Sequence, residues 1–70
     1  MAHIYVANLD HRSTEASVRS AFEVYGKVEK VDVDFGWAVV EMADREQAEQ
    51  AIGDLNRLTA WVLRPLPLAA

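Results

Sequence analysis

Tyr5 and Trp37 are the side chains whose type and setting best suit chemistry in this sequence, and that chemistry is the stacking of flat rings. Each sits in a run of β-branched and apolar residues, Ile4-Tyr5-Val6 and Trp37-Ala38-Val39-Val40, where alternate side chains share one face of a strand. Bond-making chemistry finds no comparable set. His3 and His11 stand eight positions apart in a chain without cysteine, which argues against a metal site. No nucleophile–base pair, phosphate-cradling glycine loop or cleft of paired carboxylates can be placed, so neither an enzyme nor a cofactor is expected.

Stacking rings need strands to hold them. His3–Leu9 reads as a strand, with Ile4 and Val6 on one face and His3, Tyr5 and Ala7 on the other. Thr14 or Ser13 can cap a helix over about Glu15 to Tyr25, in which Val18, Ala21, Phe22 and Tyr25 recur at helical spacing and Gly26 marks the stop. Val28–Phe35 and Trp37–Met42 alternate as two more strands. Between them Asp34-Phe35-Gly36 permits only a tight hairpin, with Gly36 free to take positive φ. Asp44 and Gln47 resemble a capping box, and Ala48, Ala51, Ile52 and Leu55 form the buried stripe of a second helix, weakened near its end by Gly53.

Arg57–Leu63 reads as a connection with a short extended piece around Thr59–Val62. Arg64–Leu68 is predicted as the last strand, with Leu66 and Leu68 inward and Pro65 and Pro67 outward. Proline donates no ladder hydrogen bond, so this strand belongs at a sheet edge. Two strand-helix-strand halves joined by right-handed crossovers predict an α+β, ferredoxin-like βαββαβ sandwich: a four-stranded antiparallel sheet with both helices packed on one face. The open face would then carry His3, Tyr5, Ala7, Lys30, Asp32, Asp34, Phe35, Trp37, Val39 and Glu41 together with the two prolines. An uncovered sheet face is ordinarily polar, and an apolar patch on one usually binds something.

Composition limits what that something can be. Seventy residues make one small domain, taken as residues 1–70, and 51% hydrophobic with 26% charged residues argues against disorder. No apolar run approaches the roughly 20 residues of a membrane span, and no basic start leads into an apolar signal core, so a cytoplasmic protein without a membrane partner is expected. Seven Lys and Arg against eleven Asp and Glu leave a net charge of −4, which opposes any charge-led binding of a polyanion. Three of the acids, Asp32, Asp34 and Glu41, fall on the open face, where Asp32 and Asp34 also serve as edge-strand solubility charges.

The strands themselves resemble a known family. Ile4-Tyr5-Val6-Ala7-Asn8-Leu9 looks like the hexamer of the RNA recognition motif, and Phe35-Gly36-Trp37-Ala38-Val39-Val40-Glu41-Met42 looks like its octamer. The likeness extends to the first helix, Tyr25-Gly26, and the Ala48/Ala51-Ile52/Leu55-Asn56 pattern of the second. The short spacing from Val31 to Trp37, and Trp61 followed by Arg64 and Leu66, resemble small single-domain bacterial and cyanobacterial members with a minimal hairpin between strands two and three.

This resemblance implies single-stranded RNA as the partner, bound by a monomer, with Tyr5 stacking one base and Trp37 packing on the sugar or a second base. Val39 occupies the position of the family's main second ring, Phe35 that of a phosphate-facing Lys or Arg, and Met42 that of a buried aromatic. Lys30, Glu41 and Arg64 complete the expected RNA-binding set. Losing one stacking platform, at roughly 1–3 kcal/mol per base, implies modest affinity. The competing expectation is a protein-interaction or self-association module that uses the same face and binds little RNA.

Overall fold

The computed structural model describes residues 1–66, and the expectations for Pro67 and Leu68 lie outside them. Ala2–Ala7 forms β1, Glu15–Glu23 α1, Val28–Val33 β2, Trp37–Met42 β3, Arg45–Leu58 α2 and Val62–Leu66 β4. The strands make one sheet in the order β2-β3-β1-β4, and every neighbouring pair is antiparallel. Ile4, Val6, Val31, Ala38, Val40 and Met42 bury one sheet face against Val18 and Phe22 of α1 and Ala48, Ala51 and Leu55 of α2. The fold is therefore the ferredoxin-like βαββαβ sandwich, with β4 at an edge as its proline requires.

Local chemistry sets the element ends. Thr14 caps α1 in a full capping box with Ser17, and the Asp44 carboxylate caps α2 by accepting from the backbone N–H groups of Glu46 and Gln47. β1 stops two residues short of the predicted Leu9 because Asn8 turns into the left-handed region at φ 63°, a conformation asparagine tolerates. α1 ends at Glu23 rather than Tyr25, and the Tyr25 N–H closes a tighter turn onto the Phe22 carbonyl. Gly26 is not a left-handed cap. A side chain there would run into the Gln47 amide of α2. Beside it, packing against the core and the neighbouring Asp54 carboxylate hold the Tyr25 hydroxyl above the usual phenol range, with Arg57 opposing.

Three core positions were absent from the sequence reading, the first being Leu9, buried just past the left-handed turn at Asn8. Val28 shares the parity of Lys30, yet it is buried, because the β2–β3 register shifts between those two residues. Leu63, read as connection, is only 3% exposed. Its burial corrects the last strand: Leu63 and Pro65 pair with Val6 and Ile4 of the covered face, whereas Arg64 and Leu66 pair with Tyr5 and His3 of the open one. Leu66 therefore points outward and Pro65 does not join the open face, the reverse of the predicted phase. A slip of one residue exchanges the two faces of a strand.

The physical anchor for this phase is Asn56 of α2. Its side-chain amide donates to the Leu63 carbonyl at 3.0 Å, and its Oδ1 accepts from the Leu63 N–H at 2.8 Å. Asn56→Ala strands both backbone groups in a partly buried seam. A loss of about 1–3 kcal/mol in unfolding free energy is expected, measured by urea denaturation followed by circular dichroism.

Candidate functional site

The pairing registers lay the open face out as three cross-sheet rows. Asp32, Val39, Tyr5 and Arg64 stand side by side across β2, β3, β1 and β4. On one flank lies the polar row Lys30, Glu41 and His3, closed by Leu66. On the other, Trp37, Ala7 and Val62 form an apolar row. Tyr5 and Trp37 come together as expected, with ring centroids 5.9 Å apart and planes tilted by 31°. Trp37 is 38% exposed and Val62 44%, so this apolar surface is open to solvent and not a hidden extension of the core. Val39 is half-buried beside Tyr5 and brings no ring.

Charge on this face is almost self-cancelling. Lys30 lies 3.6 Å from Asp32 on its own strand, and His3 Nε2 lies 3.6 Å from Glu41 Oε1. The other ring nitrogen of His3, Nδ1, is buried without a hydrogen-bond partner among the described residues. Of the seven Lys and Arg, six sit within ion-pair distance of a carboxylate. Arg64 is the exception among the described residues, exposed and directly opposite Tyr5. A strongly hydrogen-bonding cation without an ion-pair partner among the described residues, beside a half-buried ring, can take an external anion while the ring stacks a flat group.

Phe35 leaves the strand alternation altogether. It occupies the tip of the β2–β3 hairpin, 73% exposed, and its ring stacks on His11 from the β1–α1 loop with centroids 4.5 Å apart and planes 9° from parallel. The hairpin depends on Gly36 at φ 87°, whose carbonyl accepts from the Leu9 N–H at 3.0 Å and so ties the two loops together. Trp61 is used differently. It lies nearly parallel to Phe22 at 6.4 Å and packs against the core, filling the seam beneath the last connection.

The sequence reading thus brought Tyr5, Trp37, Val39, Lys30 and Glu41 onto one face. It misplaced Leu66 and overlooked Val62 as a surface residue. Starting the last strand at Val62-Leu63 would have corrected both, since two apolar residues precede Arg64 there. His11 carried no sequence signal as a neighbour of Phe35, because loop closure alone brings them together.

Among the described residues there is no cluster of three or more metal-ligating side chains, and no helix is long and apolar enough to cross a membrane. The family model described as RNA recognition motif matches residues 4–60. The chain is 39% identical over 64 residues to the serine/arginine-rich splicing factor RSZ23 of Oryza sativa subsp. japonica, covering 87% of this chain and 32% of that protein. It is 38% identical over 56 residues to RNA-binding protein 4B of Homo sapiens, covering 80% of this chain and 16% of that protein. The chain thus spans a third or less of these curated relatives. In fold it is similar to the crystal structure of RNA Binding Protein PG1, at TM-score 0.91 and 24% identity over 100% of this chain and 99% of that one. It is also similar to the protein of a Sxl-lethal protein/RNA complex, at TM-score 0.87 and 16% identity over 97% of this chain and 48% of that one.

Proposed function

The chain belongs to the RNA recognition motif family, and from that premise we propose that it binds single-stranded RNA with modest affinity on the open face of its sheet. The observation that carries this reading is the tilted Tyr5–Trp37 pair, half-buried at Tyr5 and exposed at Trp37, beside Arg64, the basic side chain without an internal ion pair among the described residues. Tyr5 stacks one base, Trp37 packs on the adjoining sugar or a second base, and Arg64 meets a phosphate. Val39 contributes apolar contact only. Lys30 reaches the strand from the β2 edge, where Asp32 competes for it, and Glu41 accepts from polar groups of the nucleotide lying over the His3 row. Phe35 adds an exposed ring at the hairpin end. Similarity to a serine/arginine-rich splicing factor and to an RNA-binding protein supports a nucleic-acid partner for this face.

Binding of this kind is led by stacking, because the net charge of −4 opposes long-range attraction to a polyanion. Titrating isotopically labelled protein with pooled short single-stranded RNAs at low salt should move the backbone amides of β1 and β3. Resonances unmoved at millimolar RNA would defeat the proposal. Arg64→Ala should weaken binding about equally for all RNA sequences, and should reduce the slope of log affinity against log salt by about 0.7, the share of one phosphate contact on a single strand. An unchanged slope would remove Arg64 from the interface.

A further inference from the structure

We infer that His11 and Phe35 form an additional nucleobase-stacking step at the hairpin end of the open face, so that a strand lying on Tyr5 and Trp37 continues onto the loops. This rests on the RNA-binding reading above and extends it to a residue, His11, that neither strand pattern nor family motif points to.

The geometry is that of a held platform and not of two loop tips in passing contact. Phe35 and His11 lie 9° from parallel at 4.5 Å, the offset-stacked arrangement that favours aromatic pairs. Each comes from a turn closed by its own hydrogen bonds. In the hairpin the Asp34 N–H donates to the Trp37 carbonyl at 2.8 Å, and the Phe35 N–H donates to the Asp34 carboxylate at 2.7 Å. In the β1–α1 loop the Asp10 carboxylate accepts from the Arg12 N–H at 2.8 Å, and the Asp10 carbonyl accepts from the Ser13 N–H at 3.0 Å. The Leu9-to-Gly36 bond joins the two turns.

A single exposed phenylalanine would need no explanation. Here a second ring is stacked on it, and both remain open to solvent, Phe35 to 73%. Among the described residues the pair therefore keeps ring surface open to solvent. A flat, unsaturated group is the ligand that fits such a face, and continuity selects which one. Phe35 lies two residues before Trp37, at most about 7 Å along extended backbone, so the next nucleotide of a strand already packed on Trp37 comes within reach. Local charge allows the approach: Asp34 and Asp10 both accept backbone N–H bonds, and the exposed Arg12 guanidinium lies 3.9 Å from Asp10.

The test uses the full chain and oligouridylates of two, four and six nucleotides, with fluorescence anisotropy as the readout. The wild-type protein should gain affinity from the dinucleotide to the hexanucleotide. Phe35→Ala and His11→Ala should each lower hexanucleotide affinity by about 5-fold or more, the low end of one stacked base, and His11→Ala should leave the dinucleotide unaffected. His11→Phe, which restores a ring, should retain hexanucleotide binding. If the wild type binds the hexanucleotide and both alanine variants match it, the additional step is wrong while the RNA-binding reading stands. If His11→Phe loses as much as His11→Ala, stacking by this residue is overturned. If the wild type binds no oligonucleotide but associates through this end with a protein or with itself, the RNA-binding reading fails and the step fails with it.

Discussion

Tyr5→Ala is expected to weaken single-stranded RNA binding by about tenfold or more while the domain stays folded, measured as a dissociation constant by anisotropy with a labelled oligonucleotide. The magnitude follows from roughly 1–3 kcal/mol for each base stacked on an aromatic ring, against 1.4 kcal/mol per factor of ten. Tyr5 stands at the centre of the face, between Val39 and Arg64, so no neighbouring ring in its row can substitute for it. Tyr5→Phe keeps the ring and should bind within a few-fold of wild type. Trp37→Ala should show a comparable loss, but the two effects should not add. Rings 5.9 Å apart support each other, and removing one lets the other reorient. A double-mutant cycle on RNA affinity measures that coupling. Tyr5→Ala binding as tightly as wild type would place the RNA elsewhere on the molecule.

Phe22→Ala should leave the chain largely unfolded or barely stable at room temperature, as read from the urea midpoint by far-ultraviolet circular dichroism. Phe22 has no exposed surface and heads the fully buried side chains by volume. Truncating a phenylalanine in a packed core costs about 3–5 kcal/mol. A domain of this length has only about 3.5–10 kcal/mol in total, at 0.05–0.15 kcal/mol per residue. The loss also removes the support of Trp61, whose ring lies 10° from parallel to Phe22. A variant with an unchanged urea midpoint would mean that α1 does not seat its core face as described.

The fold was legible because the elements before the last strand carry periodicities that only one geometry satisfies. Val18, Phe22 and the Ala48–Leu55 stripe repeat at helical spacing, while Ile4 with Val6 and Ala38 with Val40 and Met42 repeat at strand spacing. The ring pair was legible for the same reason, since strand alternation puts Tyr5 and Trp37 opposite buried residues. The last strand was not. Its apolar residues run Val62-Leu63, then Leu66, without alternation, and its prolines restrict pairing without specifying phase. Asn56, seven residues upstream on another element, makes the choice.

Local spacing alone set the order of elements, the covered and open faces of the first three strands apart from Val28, and a pair of rings on a face poor in positive charge. All of these follow from local spacing, because side-chain direction along a helix or strand is fixed by backbone geometry alone. The tertiary structure decided what depends on contacts between distant segments. The Asn56 clamp turns Arg64 outward beside Tyr5, and the Leu9–Gly36 bond brings His11 onto Phe35. No spacing rule encodes those meetings, since they arise only when loops and edges are closed by the packing of the whole sheet.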